Sequence, residues 1–129
     1  MKSLNGYKLN EPKMFSDITC GVAVVINSET GIYYCLNEFG SSVFENLIDG
    51  VSGENILEAL HTLSGAPDDI ETRLRVFIKA LTDSGLVSEG PGSSSKAKIN
   101  EQAAQADKFV LEAKEYNDAR AVLLTQEEV

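Results

Sequence analysis

Apolar and polar residues alternate in the N-terminal part of the chain, and this period of two predicts three β-strands. The segment Gly21–Asn27 is nearly all apolar and β-branched, which favours a strand. Ile32–Leu36 alternates between two faces, and Pro12–Thr19 carries a weaker version of the pattern. The turn between the second and third strands contains Gly31, which tolerates a positive φ. Residues 1–10 are expected to form a loose lead-in.

Three helices are predicted after the strands, because apolar residues then recur at spacings of three and four. The first runs from about Glu38 to Ile48 and has Asn37 as its N-cap, so it follows the third strand without a loop. The second has Ser52 as its N-cap and ends before Gly65. Its apolar stripe consists of Ile56, Leu57, Leu60 and Leu63.

The third predicted helix ends at Ser84-Gly85 and starts near Asp68 and Glu71, whose spacing resembles a capping box. Its buried face is predicted to consist of Ile70, Leu74, Phe77, Ile78 and Leu81.

The rest of the chain differs in composition from these elements. Ser88–Ser95 is rich in Gly and Ser, which predicts a flexible linker. From about Lys98 to Leu124 a thin, mostly alanine stripe predicts a helix that buries little area. We therefore expect a domain over residues 1–88, a linker over 89–97 and a C-terminal helical tail over 98–129.

Charge and apolar content limit the class of protein. The net charge of −9 argues against nucleic acid as the main partner, because phosphates require Lys and Arg. No apolar run approaches the roughly 18 residues that a membrane span requires, and the N-terminus lacks the apolar centre of a signal peptide. These patterns predict a cytoplasmic protein with no membrane partner.

The two cysteines, Cys20 and Cys35, are predicted to be free thiols. If Asn27 pairs with Ile32 in the hairpin, Cys35 faces Val24, and Cys20 is then about 13 Å away. A disulfide requires Cα atoms within about 7 Å.

Three of the six basic residues in residues 1–90 lie close together: Arg73, Arg75 and Lys79. They can form a solvated helix face, or they can form a positive rim for an acidic peptide. The sequence leaves both interpretations open.

Catalytic patterns are weak. His61 is the one histidine and lies between apolar positions of the second helix, which is typical of a structural residue. The cysteines have no metal-ligand spacing, and there is no glycine-rich phosphate loop. We therefore expect no catalytic residues, no metal and no cofactor.

Several short motifs occur in an order that is familiar from one family. They are Ser28-Glu29-Thr30-Gly31, Tyr33-Tyr34-x-Leu36-Asn37-x-x-Gly40, Leu47-Ile48-Asp49-Gly50, Ile56-Leu57-Glu58-Ala59-Leu60 and Leu81-Thr82-Asp83-Ser84-Gly85-Leu86-Val87. Over about residues 8–90 the chain resembles the PqqD-like family, whose fold is also called the RiPP recognition element.

The resemblance implies a small α+β, winged-helix-like fold of three strands and three helices, to which the tail adds a C-terminal helical extension. It also implies that the protein binds the leader segment of a ribosomally made precursor peptide and presents it to a modifying enzyme, often a radical SAM enzyme. The leader would add as a strand beside the third strand and pack on the third helix. The implied peptide-binding residues are Ile32, Tyr33, Tyr34, Cys35, Leu36, Arg73, Leu74, Arg75, Phe77, Ile78, Lys79 and Leu81.

Two other functions stay open at this point. One is a winged-helix regulator that binds DNA, and the other is an adaptor that acts through its C-terminal helix. A homodimer is also left open.

Overall fold

The computed structural model describes residues 6–10, 14–19, 21–90 and 96–116. The elements are β1 (Gly6–Leu9), β2 (Met14–Thr19), β3 (Val22–Asn27), β4 (Tyr33–Leu36), α1 (Glu38–Ile48), α2 (Gly53–His61), α3 (Ile70–Asp83), β5 (Val87–Gly90), α4 (Glu101–Ala106) and β6 (Ala113–Tyr116).

The strands form two antiparallel sheets. The larger sheet has the order β2-β3-β4-β6, and β1 pairs with β5 in a separate two-stranded sheet. The predicted α+β class is therefore confirmed, and the three predicted strands correspond to β2, β3 and β4. The winged-helix-like arrangement stays a prediction.

The register of the central hairpin agrees with the sequence-based expectation. The Asn27 amide donates to the Ile32 carbonyl at 2.8 Å, and Val24 lies opposite Cys35. Cys35 carries a free thiol, as predicted. The same prediction for Cys20 lies outside the described residues.

The first two helices begin at the predicted caps. α1 has the predicted bounds, and the Asn37 side chain accepts a hydrogen bond from the Gly40 amide at 2.9 Å. The Ser52 hydroxyl accepts one from the Asn55 amide at 3.1 Å. Short polar side chains at these positions satisfy backbone amides that have no partner within the helix.

α3 buries the predicted face, but it begins differently. All five predicted core residues are at most 3% exposed. The predicted capping box is wrong: Asp69 is the N-cap residue and makes no capping hydrogen bond. The acids of this turn instead pair with bases one turn later, Asp69 with Arg73 at 2.9 Å and Glu71 with Arg75 at 2.7 Å.

The ends of the predicted domain are more ordered than expected. The expected loose lead-in is wrong over Gly6–Leu9, which forms β1 and buries Tyr7 in the core. Glu89 and Gly90, predicted as linker, lie in β5. The two segments form a sheet because each supplies a backbone edge and a buried side chain, Tyr7 from one and Val87 from the other. The division of the chain into a peptide-binding domain, a linker and a tail stays a prediction.

The predicted helix of the tail is correct only over Glu101–Ala106. After a turn the chain continues as β6, and residues 117–124 of the predicted helix lie outside the described residues. The helical stripe consists mostly of alanine and offers little burial. A turn instead buries Phe109, and the chain after it pairs its backbone with β4, so this arrangement replaces the helix.

The core lies between the larger sheet and helices α1, α2 and α3. Its largest fully buried side chains include Phe39, Phe44, Leu47, Leu60 and Leu74. Within the described residues, none of the helices has the length and apolarity that a membrane crossing requires.

Ser41 is a buried polar residue that joins α1 to the sheet. It is 2% exposed, and its hydroxyl accepts from the Ala23 amide at 2.7 Å and donates to the Leu36 carbonyl at 3.3 Å. One hydroxyl therefore connects α1 to β3 and β4.

We expect Ser41→Ala to lower the free energy of unfolding by about 1–3 kcal/mol, because it leaves a buried amide without its acceptor. Ser42→Ala is the matched control, since the Ser42 hydroxyl accepts an exposed bond from the Asn100 amide, and its cost should stay below about 1 kcal/mol. Urea unfolding of both variants measures the difference. Equal costs would contradict the assigned role of Ser41.

Candidate functional site

A groove lies along the outer edge of β4, and a later segment of the same chain lies in it. We call it the β4 groove: its walls are the edge of β4, the first turn of α1 and the side of α3 that carries Arg73, Val76 and Phe77. Residues 107–116, which we call the tail segment, occupy this groove.

The tail segment is held first by its backbone. β6 pairs antiparallel with β4 over four residues, from Tyr33 opposite Tyr116 to Leu36 opposite Ala113. The pairing extends into the strand–helix junction, where the Asn37 amide donates to the Glu112 carbonyl at 3.1 Å. Bonds of this kind fix an extended chain whatever its side chains are.

The Asn37 side chain serves both α1 and the tail segment. Its Oδ1 accepts from the Gly40 amide at 2.9 Å, which caps α1, and from the Glu112 amide at 3.1 Å. Its Nδ2 donates to the Val110 carbonyl at 2.8 Å. The Asn side chain can do this because its oxygen accepts while its separate NH2 group donates. A Ser side chain at the cap would have only one hydroxyl for both tasks.

Gly40 allows the tail segment to approach α1 closely. A Cβ there would lie 2.6 Å from Asn37 Oδ1, 3.1 Å from the Glu112 carbonyl oxygen and 3.2 Å from Cζ of Phe77. Any side chain at position 40 would therefore disturb both the cap and the β4 groove.

Asp107 lies at the N-terminus of α1. Its Oδ2 accepts a hydrogen bond from the Phe39 amide at 2.9 Å. A carboxylate is favoured there because the free amides and the helix dipole both attract negative charge. This side chain therefore fixes the start of the tail segment.

Phe109 is the buried anchor of the tail segment. It is 6% exposed, and its ring meets Phe39 edge to face with centroids 5.8 Å apart. The turn that places Phe109 in the core is strained, because Lys108 and Phe109 have φ angles of 53° and 59°. Residues other than glycine rarely adopt positive φ. Arg73 holds this turn by donating from Nη1 to the Lys108 and Phe109 carbonyls at 3.3 and 3.1 Å.

Beyond the anchor the groove is shallow and apolar. A space of about 350 Å³ is lined by Thr72, Arg73, Val76, Phe77, Val110 and Leu111. Val76 and Val110 are 62% and 48% exposed. The tail segment thus covers this side of α3 without filling it.

On the face of β4 and β6 that points away from the core, two aromatic rings are in contact. Tyr116 stacks on Tyr33 with centroids 5.0 Å apart. On the other face, burial raises the pKa of Tyr34, and the Glu115 carboxylate across the strand pair raises that pKa further. Burial also raises the pKa of the Cys35 thiol, which keeps it protonated at neutral pH.

Apart from Ile32, the predicted site residues divide into three groups in the structure. The β4 edge, Arg73 and Phe77 face the tail segment. Leu74, Ile78 and Leu81 are at most 3% exposed and form the core beneath the groove. Ile32 is half-buried and directly precedes β4.

Arg75 and Lys79 form the third group. A helix turns about 100° per residue, so they lie roughly 160° and 120° around the axis of α3 from Arg73. Each pairs with an acid of the same helix, Arg75 with Glu71 at 2.7 Å and Lys79 with Asp83 at 2.8 Å. Their part in peptide binding stays a prediction.

Sequence reasoning missed the tail segment and the second role of Asn37. Part of the signal for the tail segment was present: Leu111 and Ala113 alternate with polar residues, and this period of two is typical of a strand. The helical spacing of the alanine residues was the more regular pattern, so the sequence analysis predicted a helix there.

The fold and the groove define a small α+β protein that takes an extended segment beside an edge strand. A comparison with known families matches residues 23–87 to the family described as coenzyme PQQ synthesis protein D (PqqD). The match covers just over half of the chain, so the protein belongs to the PqqD family. Neither the curated proteins nor the solved structures contained a match to this chain.

Family membership indicates the general kind of function. PqqD proteins are non-catalytic accessory proteins that bind a precursor peptide and work with modifying enzymes in the biosynthesis of PQQ and other ribosomally made peptides. The matched residues contain β4, α1 and α3 and end before the tail segment.

We expect Asn37→Asp to loosen the tail segment while the cap survives. Asp is as good an N-cap as Asn, but it lacks the donor for the Val110 carbonyl. One lost bond of about 0.5–1.5 kcal/mol should speed amide exchange in β6 roughly two- to tenfold. Hydrogen exchange followed by NMR measures this effect.

Asn27→Asp is the matched control, because its Oδ1 accepts from the Glu29 and Thr30 amides in the turn between β3 and β4 rather than from an amide of the tail segment. Exchange in β6 should stay unchanged in this variant. Equal protection of the β6 amides in both variants would contradict the conclusion that the Asn37 side chain holds the tail segment.

Proposed function

We propose that this protein binds the leader segment of a ribosomally synthesised precursor peptide by β-strand addition to β4, and presents it to a peptide-modifying enzyme of the radical SAM class. One observation carries the proposal: the β4 edge accepts an extended segment with backbone pairing over four residues. Membership of the PqqD family supports the same function.

The groove has the chemistry that a peptide carrier needs. Backbone groups of β4 and the Asn37 side chain recognise an extended main chain. Phe39 and Phe77 offer apolar surface for two side chains, and Arg73 offers a cationic donor for carbonyls. The residues we propose to contact a leader directly are therefore Tyr33, Tyr34, Cys35 and Leu36 through their backbone, and Asn37, Phe39, Arg73 and Phe77 through side chains.

The proposed role is non-catalytic, and the protein is proposed to act in the cytoplasm. Amides, carbonyls and apolar rings line the groove, and these groups bind rather than react. The Cys35 thiol at its edge is held in its protonated, less nucleophilic form.

The alternative of a DNA-binding regulator gains no support from α3. Arg73, Arg75 and Lys79 are each within 2.9 Å of a carboxylate on the same helix. Their charge is therefore balanced locally, whereas duplex binding requires unbalanced positive charge on one face.

The test first searches the neighbouring open reading frames for a short precursor peptide, and then uses a synthetic peptide that covers its N-terminal half. Strand addition predicts that every second amide of the bound peptide points at β4. N-methylation of those amides should weaken binding about tenfold, from the lost bond and the added clash, while methylation of the intervening amides should change it less than about twofold. Isothermal titration calorimetry measures the series.

The intervening positions are the matched controls, because they carry the same methyl group on the opposite side of the strand. Amide NMR shifts of the labelled protein should concentrate at Tyr33–Leu36 and at Arg73 and Phe77. A series without the period of two, or shifts elsewhere on the protein, would contradict strand addition at β4.

A further inference from the structure

We propose that the tail segment is a tethered copy of the ligand of the β4 groove, which a leader must displace and whose contacts define the leader's chemistry. The leader would carry a carboxylate, an aromatic residue two positions later and an aliphatic residue two positions after that, as Asp107, Phe109 and Leu111 do. This inference rests on the proposed function.

The tail segment has the features of a bound peptide rather than of a core strand. β6 contributes no fully buried side chain, and Tyr116 is 40% exposed. The strands β3 and β4 contribute Ala23, Val25 and Leu36, each at most 2% exposed. The family match ends at residue 87, so the matched fold does not include the tail segment.

Three side chains of the tail segment contact three different parts of the β4 groove. Asp107 accepts from the Phe39 amide at the N-terminus of α1. Phe109 packs on the Phe39 ring, and Leu111 lines the same apolar space as Phe77 of α3. The backbone contacts can be made by any extended peptide, and the side chains of Glu115 and Tyr116 contact only β4 at the far end of β6. The three positions that meet α1 and α3 are therefore the ones proposed to carry the sequence preference.

The residues before the tail segment fasten it to the protein independently of the groove. The Asn46 side chain exchanges two hydrogen bonds with the backbone of Lys98, at 2.9 and 3.0 Å. The Glu101 carboxylate accepts from the Ser64 amide at 3.1 Å. The tail segment can therefore leave the groove while residues 98–106 keep their place.

The strained turn makes the tail segment a ligand that can be displaced. Its release would relax the left-handed conformations of Lys108 and Phe109. A free leader with the same spacing adopts the same turn at the same conformational cost. The tail segment competes with it at an effective concentration on the order of millimolar, because it belongs to the same chain.

The test compares the full-length chain with an open-groove variant that combines Asp107→Asn and Phe109→Ser. The probe is a fluorescein-labelled synthetic peptide with the sequence of residues 105–116. We expect it to bind the open-groove variant at least about tenfold more tightly than the wild-type chain, because the internal competitor is weakened. Lys114→Gln, on an exposed position of β6, is the matched control and should bind like wild type.

Probe variants test the three positions directly. Asn in place of Asp107, or Ser in place of Phe109 or Leu111, should each weaken the probe at least about fivefold, whereas Gln in place of Lys114 should not. Circular dichroism and thermal melting confirm that each chain is folded. Equal binding by wild type and open-groove variant, or a probe that tolerates all three changes, would overturn the inference.

A reversible crosslink gives a second measurement that does not depend on a destabilising variant. Lys114 lies opposite Cys35, and directly paired strand residues are within disulfide reach. In a Cys20→Ser, Lys114→Cys chain, oxidation should lock the tail segment and reduce probe binding at least about tenfold, and dithiothreitol should restore it. Unchanged binding after verified crosslinking would overturn the inference.

Binding of the leader peptide to the wild-type chain and to the open-groove variant distinguishes this inference from the proposed function. If the leader binds β4 equally well in wild type and open-groove variant, the tethered-ligand inference fails and the proposed function stands. If the leader does not bind the open-groove variant, the proposed function fails. Displacement of the labelled probe by the leader supports both.

Discussion

The junction between β4 and α1 determines both the fold and the groove. Asn37 ends the strand, caps the helix and clamps the backbone of the tail segment with a single amide side chain. Ser41, one turn later, ties the same helix to β3 and β4. Because no loop separates strand and helix, the donors and acceptors at the edge of β4 are held in fixed positions relative to the N-terminus of α1. A peptide that replaces the tail segment beside the strand would therefore meet the helix dipole, the Phe39 ring and the side of α3 without any rearrangement of β4, α1 or α3.

The elements with strong local signals could be predicted from the sequence. The hairpin register followed from one turn, and the bounds of α1 followed from Asn37 and the apolar spacing. The buried face of α3 followed from its helical repeat. In each case neighbouring residues determine the structure, so propensity, capping and period agree. The strand pattern also showed which segment forms the edge of β4, whereas the peptide-binding role of that edge was implied by the family resemblance and stays a prediction.

The remaining features depend on partners that are distant in sequence. β1 and β5 form only because Gly6–Leu9 meets Val87–Gly90 across the fold, and neither segment has a strong pattern of its own. The basic residues of α3 could not be assigned to faces until their partners were known: Arg73 reaches the tail segment, whereas Arg75 and Lys79 pair along the helix. The tail segment itself has competing helical and strand periods. Pairing with β4 and burial of Phe109 decide between them, and both are tertiary contacts.

The coverage of β4 by β6 has a consequence for the behaviour of the protein in a crowded cell. A bare sheet edge is a template on which copies of a protein add to one another and aggregate. β6 covers the edge of β4 and is the last strand of this sheet in the described residues. It is short and carries exposed charged and polar side chains, which disfavour further pairing. If binding partners exchange with β6 directly, one strand replacing the other in a single step, the edge of β4 stays paired while the protein waits for cargo, and the protection of that edge does not depend on whether cargo is present.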